Sequence, residues 1–159
     1  MTRRVLFVCL GNICRSPAAE NIFRRFVSDR SLDNLIQIDS CGTANYHEGK
    51  GPDSRMRQAL QSRGYTDHGN ARQIKLSDFS DFDLVVAMDR DNRDHLYALT
   101  DDKKARAKVC LFSDFLPEQK PLDIPDPYYG GSDGFLEVIA LLEEGCQGLL
   151  DKLMSDLSK

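Results

Sequence analysis

The length, composition and charge of the chain exclude several classes of protein. The sequence has 159 residues, 41% hydrophobic and 29% charged, which is typical of one folded domain spanning residues 1–159 that needs no disulfide or metal cross-links. A net charge of -4 gives no general attraction for nucleic acid or an acidic membrane, so an anion would need a local site. No stretch is apolar for long enough to span a bilayer, and five cysteines without a secretory signal predict reduced thiols in the cytoplasm.

The first half of the chain alternates between strand and helix patterns. Residues 5–8 are a continuous apolar run, typical of a strand buried on both faces of a parallel sheet. Ser16, followed by a proline, predicts a helix start with a hydroxyl cap, and the apolar residues after it are spaced for one buried face. Residues 36–41 then have the pattern of a second strand, and residues 53–63 that of a second helix.

The second half continues the alternation. Residues 84–88 and 109–112 are short apolar runs typical of strands, and residues 92–99 between them have a helical pattern. From Ser132 to Leu153, apolar residues recur every three or four positions, which predicts a long amphipathic helix against a sheet. Repeated strand–helix units predict a doubly wound α/β sandwich, whose ligands bind at the carboxyl ends of the strands.

The segment between the first strand and the first helix carries a cysteine followed, after five residues, by an arginine: Cys9 and Arg15. Backbone amides of a loop at a helix N-terminus, together with the helix dipole, form a cradle for a phosphate-sized anion. The same field stabilises a thiolate, so Cys9 is predicted to be a nucleophile at neutral pH. Arg15 offers a planar charged fork that matches two phosphate oxygens, which a lysine could not do.

The remaining residues of this segment are predicted to bind phosphate or to hold the loop in shape. Gly11 permits the curvature, and Asn12 and Ser16 are expected to form side-chain hydrogen bonds, with Ser16 also donating to the Cys9 sulfur. The predicted phosphate-binding set is Leu10, Gly11, Asn12, Ile13, Cys14 and Ser16. An alternative makes Cys9 a core cysteine and Arg15 a solvated charge, but their position at the carboxyl end of a strand favours a site. The segment lacks the lysine of a nucleotide-binding loop.

Residues 9–17 resemble the signature of the low-molecular-weight protein tyrosine phosphatases, and the resemblance extends over nearly the whole chain. Residues 126–129, Asp-Pro-Tyr-Tyr, are similar to the family's aspartate–proline–tyrosine loop, and residues 39–43 are similar to its second-strand serine segment. The resemblance implies a three-layer sandwich with a four-stranded parallel sheet, helices on both faces and the phosphate-binding loop after the first strand. It also implies no metal or other cofactor and a cysteinyl-phosphate intermediate.

Asp126, which stands between two prolines, is the predicted general acid, because expelling a tyrosyl oxygen is easier when a carboxyl group protonates it. A solvated turn aspartate is the alternative, and the resemblance favours catalysis. Tyr46, Tyr128 and Tyr129 are predicted to line the substrate pocket together with Ile13. Each tyrosine could instead be an ordinary half-buried side chain.

Three further residues have predicted supporting roles. Ser40 resembles the serine that braces the loop asparagine in the family. Relatives often carry a histidine where this chain has Gly69; His68 is one position away and is interpreted as a surface histidine. Cys14 lies in the same loop as Cys9, and a reversible disulfide between them would protect the nucleophile from overoxidation. The alternative makes Cys14 a small buried packing residue.

The predicted function is hydrolysis of phosphotyrosine in proteins, and of small aryl phosphates, by a cytoplasmic monomer inhibited by phosphate and other oxyanions. Nucleic acid and membranes are not expected partners. Phosphoarginine hydrolysis and arsenate reduction on the same loop are the alternatives. Arsenate reductases pass oxidation to further cysteines, which residues 80–90 lack, and relatives that act on phosphoarginine carry threonine at the position of Ile13. A scaffold that only grips phosphorylated partners would need neither Cys9 nor Asp126.

Overall fold

Strands and helices alternate along the chain, as the apolar patterns predict. The computed structural model describes residues 2–158. Its strands are β1 (Arg3–Cys9), β2 (Ile36–Gly42), β3 (Leu84–Ala87) and β4 (Val109–Leu111). Its helices are α1 (Arg15–Asp29), α2 (Ser54–Ser62), α3 (Asp78–Asp81), α4 (Arg90–Leu99), α5 (Lys103–Ala107) and α6 (Ser132–Leu157), with short 3-10 turns at Phe112–Phe115 and Pro117–Gln119. Within residues 2–158, no helix combines the length and the apolar character needed to cross a membrane.

The strands form one parallel sheet in the order β2-β1-β3-β4, with helices on both faces, and the predicted sandwich is confirmed. The alternation of side chains along β1 divides the core between the two faces. Val5 and Phe7 belong to a cluster shared with α1, α2 and α6, whereas Leu6 and Val8 belong to a cluster shared with α3, α4 and α5. The continuous apolar run of β1 is therefore explained by burial on both sides.

The strand order reverses next to β1. The chain goes from β1 to β2 on one side and then to β3 on the other side, so the carboxyl ends of β1 and β3 flank the point of reversal. Open α/β sheets bind ligands in the crevice at such a point. The two segments that meet there are residues 9–16 and residues 88–89.

Two details differ from the sequence predictions. The prediction that Ser16 caps the first helix is wrong, because α1 begins at Arg15 and its N-cap residue is Cys14, which makes no side-chain capping bond. The Ser16 hydroxyl contacts the Cys9 sulfur instead. The short helices α3 and α5, of four and five residues, were not predicted, because one helical turn is too short to show a period in the sequence.

Two glycines bring α6 close to the chain that leaves β4. A Cβ atom on Gly145 would lie 2.1 Å from the ring of Phe112, and one on Gly148 would lie 2.2 Å from the carbonyl oxygen of Phe115. No side chain fits in these gaps, so the glycines permit contact between α6 and the 3-10 turn. This contact fixes the start of the connection between β4 and α6, which carries Asp126.

Candidate active site

The segment of residues 9–16, called the phosphate loop below, is held in shape by side-chain hydrogen bonds. Asn12 has a left-handed backbone with a φ of 58°, which costs energy in a residue with a side chain. Its amide nitrogen donates to the hydroxyls of Ser16 at 2.8 Å and Ser40 at 3.0 Å, and its Oδ1 accepts from the backbone N–H of Arg72 at 3.0 Å. Three hydrogen bonds, one within the loop and two to distant parts of the chain, therefore stabilise the strained residue.

The Cys9 sulfur lies at the end of β1, 2.9 Å from the hydroxyl oxygen of Ser16. Because Ser16 Oγ accepts from Asn12, its own proton is free to point elsewhere. The carbonyl oxygen of Cys41 is a more distant acceptor at 3.3 Å, so the sulfur is the nearer partner. This geometry fits the expected donation from Ser16 to a Cys9 thiolate, which would disperse negative charge on the sulfur.

The bracing of the loop continues to a carboxylate that sequence reasoning missed. The Ser40 hydroxyl donates to Oε1 of Glu20 at 2.6 Å, and Oε2 of this buried side chain accepts from Arg24 at 2.8 Å. His68 lies outside this network: its side chain is exposed, and Asn21 binds its backbone N–H and carbonyl groups. Glu20 sits one turn along α1 from Ser16, and helical spacing is the only signal that could have indicated it.

Arg15 is 3% exposed and holds its guanidinium below the cleft through acceptors from two other segments. Nη1 donates to Oδ2 of Asp89 at 2.6 Å and to the carbonyl oxygen of Ile124 at 2.9 Å, and Nη2 lies 3.6 Å from Oδ2 of Asp126. Burial alone would lower the pKa of Arg15, but the charges of Cys9 and Asp89 outweigh it and raise the pKa. Arg15 is therefore a permanent cation whose direction is set before any anion binds.

Asp89, which follows β3, was not predicted as a site residue. Its Oδ1 accepts from the backbone N–H of Asn92 at 2.7 Å and caps α4, while its Oδ2 binds Arg15. One carboxylate thus connects the phosphate loop to the next strand of the sheet. Its place at the carboxyl end of a strand beside the point of reversal is the signal that could have identified it.

The walls of the cleft above the phosphate loop are mainly aromatic. The lining residues are Cys9, Leu10, Gly11, Ile13, Cys14, Arg15, Tyr46, His47, Asp126, Tyr128 and Tyr129. Tyr128 is half-buried, with its ring 4.9 Å from that of Tyr129 and 6.0 Å from that of His47, whereas Tyr46 and Tyr129 are 72% and 89% exposed. The structure therefore places all three predicted tyrosines at the cleft, with Tyr128 as its ordered wall. His47 was missed, and only its position beside Tyr46 hinted at it.

Residues 124–131, called the acid loop below, place Asp126 at the cleft. Oδ1 of Asp126 accepts from the backbone N–H of Tyr128 at 3.0 Å, and Oδ2 is the atom closest to Arg15. The side chain of Asp126 is 35% exposed, so it can meet a bound molecule. Of the three predicted catalytic residues, Cys9 and Arg15 are brought together by the phosphate loop, and Asp126 reaches them from the far end of the chain.

All five cysteines are free. Burial first, and then the charge of Asp53, raise the pKa of the Cys14 thiol well above its ordinary value. Burial also raises the pKa of the thiols of Cys41, Cys110 and Cys146. These four side chains are therefore neutral thiols at pH 7 and poor nucleophiles. Within residues 2–158, no cluster of three or more His, Cys, Asp or Glu side chains could hold a metal ion.

Comparison with known proteins places this arrangement in a family. A family model for low molecular weight phosphotyrosine protein phosphatases matches residues 4–159. The low molecular weight protein-tyrosine-phosphatase of Streptomyces coelicolor is 48% identical over 153 residues, which cover 94% of this chain and 93% of the relative. The low molecular weight phosphotyrosine protein phosphatase of Homo sapiens is 40% identical over 152 residues, which cover 95% of this chain and 96% of the relative.

The similarity extends to solved structures. The crystal structure of a protein tyrosine phosphatase from Entamoeba histolytica matches with a TM-score of 0.94 at 42% sequence identity, covering 98% of this chain and 99% of that one. These matches confirm the predicted enzyme class, a protein tyrosine phosphatase, and show that the chain belongs to the low molecular weight phosphotyrosine protein phosphatase family.

Proposed function

We propose that the protein hydrolyses phosphotyrosine and small aryl phosphates in two steps, with Cys9 as the nucleophile, Arg15 as the phosphate clamp and Asp126 as the general acid and base. The observation that carries the proposal is that Arg15, fixed between the phosphate loop and β3, lies 3.6 Å from the carboxylate of Asp126, which lines the same cleft as the Cys9 sulfur. A phosphoryl group in the loop would therefore have a nucleophile on one side and an acid on the other.

In the first step, the Cys9 thiolate attacks phosphorus, a P–S bond forms and the P–O bond to the aryl group breaks. Asp126 gives its proton to the departing phenolate oxygen. In the second step, water attacks phosphorus, the Asp126 carboxylate takes a proton from that water, and the thiolate leaves. Backbone amides of the phosphate loop and the guanidinium of Arg15 stabilise the charge on the equatorial oxygens in both steps.

The cleft walls favour an aromatic leaving group. Tyr128 presents a ring held in place by its neighbours, and Ile13 offers an apolar surface without a hydrogen-bond acceptor. A phenyl ring gains contact on both sides, whereas the guanidinium of phosphoarginine would lose hydration without a partner on Ile13. Phosphoproteins that carry phosphotyrosine are therefore the proposed substrates, and inorganic phosphate and other oxyanions are the proposed inhibitors.

Redox control by Cys14 is part of the proposal. Peroxide would oxidise the Cys9 thiolate to a neutral sulfenic acid, which removes one of the negative charges that raise the pKa of Cys14. Cys14 would then lose its proton, attack the oxidised sulfur and form a disulfide, and the proton would leave with the hydroxyl group as water. Both cysteines line the same cleft, and the neutral Cys14 thiol does not compete as a nucleophile toward phosphate. A thiol reductant reverses the reaction. A catalytic thiolate requires a reducing compartment, which is why we propose a cytoplasmic enzyme.

The decisive experiment measures the rate of cysteinyl-phosphate formation over a series of aryl phosphates with leaving groups of different pKa. Asp126→Ala should slow the reaction by about 10²–10⁴-fold for phosphotyrosine peptides and far less for activated aryl phosphates, which need little protonation. Asp123→Asn is the matched control, because Asp123 lies in the same connection between β4 and α6 but is paired with Arg90. Its rate should depend on leaving-group pKa as steeply as that of the wild type. Equal slopes for Asp126→Ala and wild type would remove Asp126 from the acid role.

Two further measurements separate the alternatives. Cys9→Ser should abolish turnover and leave no acid-stable phosphoenzyme, while phosphate binding to Arg15 persists; turnover in this variant would exclude the covalent mechanism. Phosphoserine and phosphoarginine peptides, and arsenate with a thiol reductant, should be poor substrates of the wild type. A preference for phosphoarginine over phosphotyrosine would replace the proposed substrate class.

A further inference from the structure

Arg55, in the first turn of α2, is fixed by the carboxylate of Asp53, a residue whose backbone is bound to the phosphate loop. Its Nε and Nη2 atoms donate to the two carboxylate oxygens of Asp53, at 3.1 and 3.0 Å. Asp53 is the N-cap of α2, and its backbone N–H donates to the carbonyl oxygen of Ile13 at 2.8 Å. Such a two-pronged contact sets the direction of the guanidinium plane, which one hydrogen bond would not do.

The same guanidinium also covers two aromatic rings. Its central carbon lies 5.3 Å from the ring centre of Tyr128, in the acid loop, and 4.8 Å from that of Phe135, in the first turn of α6. Phe135 is buried in the core, so it provides a fixed support. Arginine is attracted to the faces of aromatic rings at these distances. Arg55 therefore connects the acid loop both to the core and to the phosphate loop.

The acid loop has little else to hold it near Tyr128. In the described part of the chain, residues 127–130 form no hydrogen bond outside the acid loop; their bonds run from Tyr128 to Asp126 and from Gly130 to Pro127. Gly131 accepts from the backbone N–H of Gly134 in the first turn of α6. The loop is anchored before Asp126 by the backbone bond from Ile124 to Met88. The position of the Tyr128 ring therefore depends on side-chain packing.

We propose that Arg55 is a positioning residue for the general acid: it holds the ring of Tyr128, and through the backbone N–H of Tyr128 it holds the carboxyl group of Asp126 over the cleft. Asp53 keeps Arg55 in place and connects the acid loop to the phosphate loop. The inference rests on the proposed role of Asp126. It adds that the position of the acid is set by a contact with α2, outside the residues that touch the substrate.

The experiment applies the leaving-group series to Arg55→Ala. The proton transfer from Asp126 should lose efficiency, so phosphorylation of the enzyme by phosphotyrosine peptides should slow by about 3- to 30-fold, the size expected of an indirect contact. Activated aryl phosphates should react at nearly the wild-type rate, and inhibition by inorganic phosphate should be unchanged. Arg55→Lys keeps the charge but not the fork, and it should restore part of the rate. If Arg55 only stabilised the fold, its replacement would lower the rates for all substrates by the same factor.

A double-mutant cycle tests whether Arg55 acts on Asp126 through the ring of Tyr128. If Arg55 acts through the ring of Tyr128, Arg55→Ala should have no further effect on leaving-group dependence in a Tyr128→Ala background. Arg106→Ala is the matched control, because its guanidinium covers the ring of Tyr97, 5.7 Å away, on the other face of the sheet; it should leave the dependence unchanged.

Each outcome has a separate meaning. If the rate of Asp126→Ala depends on leaving-group pKa no more steeply than that of the wild type, the proposed function is overturned, and the inference with it. If Asp126→Ala shows the expected steeper dependence on leaving-group pKa but Arg55→Ala keeps the wild-type dependence, the inference alone is overturned. Arg55 is 40% exposed, so its replacement should not prevent folding, and thermal unfolding checks this. If Arg55→Ala does not fold, Arg55→Lys tests the inference instead: its phosphorylation rate should depend on leaving-group pKa more steeply than that of the wild type, and an equal dependence would overturn the inference.

Discussion

Asp89→Asn is the substitution that most directly tests how the buried cation Arg15 is balanced. Asparagine caps helices about as well as aspartate, so the bond from the backbone N–H of Asn92 that begins α4 should survive. Because the single amide oxygen stays with Asn92, an NH2 group takes the place of the oxygen that accepts from Arg15, and that hydrogen bond is lost. The substitution therefore removes one negative charge and one acceptor, 2.6 Å from a guanidinium that is almost completely buried.

The expected loss of stability follows from the partners that remain. Removing one partner of a buried ion pair costs about 3–5 kcal/mol when the other is left uncompensated. Arg15 keeps the carbonyl oxygen of Ile124 at 2.9 Å and the more distant carboxylate of Asp126 at 3.6 Å. We therefore expect a smaller loss of about 2 kcal/mol in the free energy of unfolding, within the range for a hydrogen bond to a charged group.

Inorganic phosphate should reduce this loss, because the bound anion supplies the missing negative charge. A ligand at 100 times its Kd stabilises the folded state by about 2.7 kcal/mol, and the variant should gain more than the wild type. If phosphate removes the whole difference of about 2 kcal/mol, the variant must bind phosphate about 30-fold more tightly. Urea unfolding with and without phosphate measures the difference in stability between variant and wild type. Calorimetric titration measures their affinities for phosphate independently.

Asp123→Asn is the control for this prediction. The pair of Arg90 and Asp123 has a similar length of 2.9 Å, but both side chains are well exposed, at 53% and 38%. We expect a loss of at most about 1 kcal/mol and no dependence on phosphate. The reasoning would be refuted if Asp89→Asn were as mild as the control, or if its loss of stability were the same in phosphate and in phosphate-free buffer.

Two further predictions concern Cys14 and Asp53. Inactivation by peroxide should be reversed by dithiothreitol in the wild type and less completely in Cys14→Ser, because the neighbouring thiol of Cys14 would capture oxidised Cys9 before it oxidises further; mass spectrometry that finds no Cys9–Cys14 linkage after partial oxidation would count against this. Burial alone would raise the pKa of Asp53, but hydrogen bonds from Arg55 outweigh it and lower the pKa from 3.8. The stability from this pair is present above pH 3.8 and lost as the pH falls through the lowered pKa, so unfolding free energy should decrease more steeply in acid for wild type than for Asp53→Asn, and equal slopes would contradict this.

The fold could be predicted because its strands are apolar runs buried in the sheet and its longest helix has a long apolar pattern. β1 is apolar from Val5 to Cys9 because both of its faces are covered there, and α6 repeats its apolar residues over many turns. The helices α3 and α5 could not be predicted, since neither is long enough to repeat a pattern. The role of Ser16 was open from the sequence alone, because a hydroxyl before a proline caps many helices. Its neighbours Cys9 and Asn12 decide its partner here.

In the candidate site, too, some residues could be proposed from the sequence and others could not. Cys9 and Arg15 could be proposed as site residues because one loop carries both, whereas Asp126 was proposed through a family resemblance, since nothing local distinguishes it from a turn aspartate. Glu20 and Arg55 were missed because each looks like a solvated charge on a helix. Their partners, Ser40 and the ring of Tyr128, come from segments that only the folded chain brings near them.

The contacts of the two carboxylates beside Arg15 suggest why Asp126, and not Asp89, is suited to move protons. Asp89 has both oxygens occupied by short hydrogen bonds, to Arg15 and to the backbone N–H of Asn92, so protonating it would break a helix cap and an ion pair. Asp126 has one oxygen bound to the backbone N–H of Tyr128, and its other oxygen lies 3.6 Å from Arg15, beyond a strong hydrogen bond. That second oxygen is free to contact a bound molecule without breaking a hydrogen bond that shapes the loop. The same cation thus faces a carboxylate that fixes its direction and another that stays free to react, and this difference favours the assignment of Asp126 as the acid.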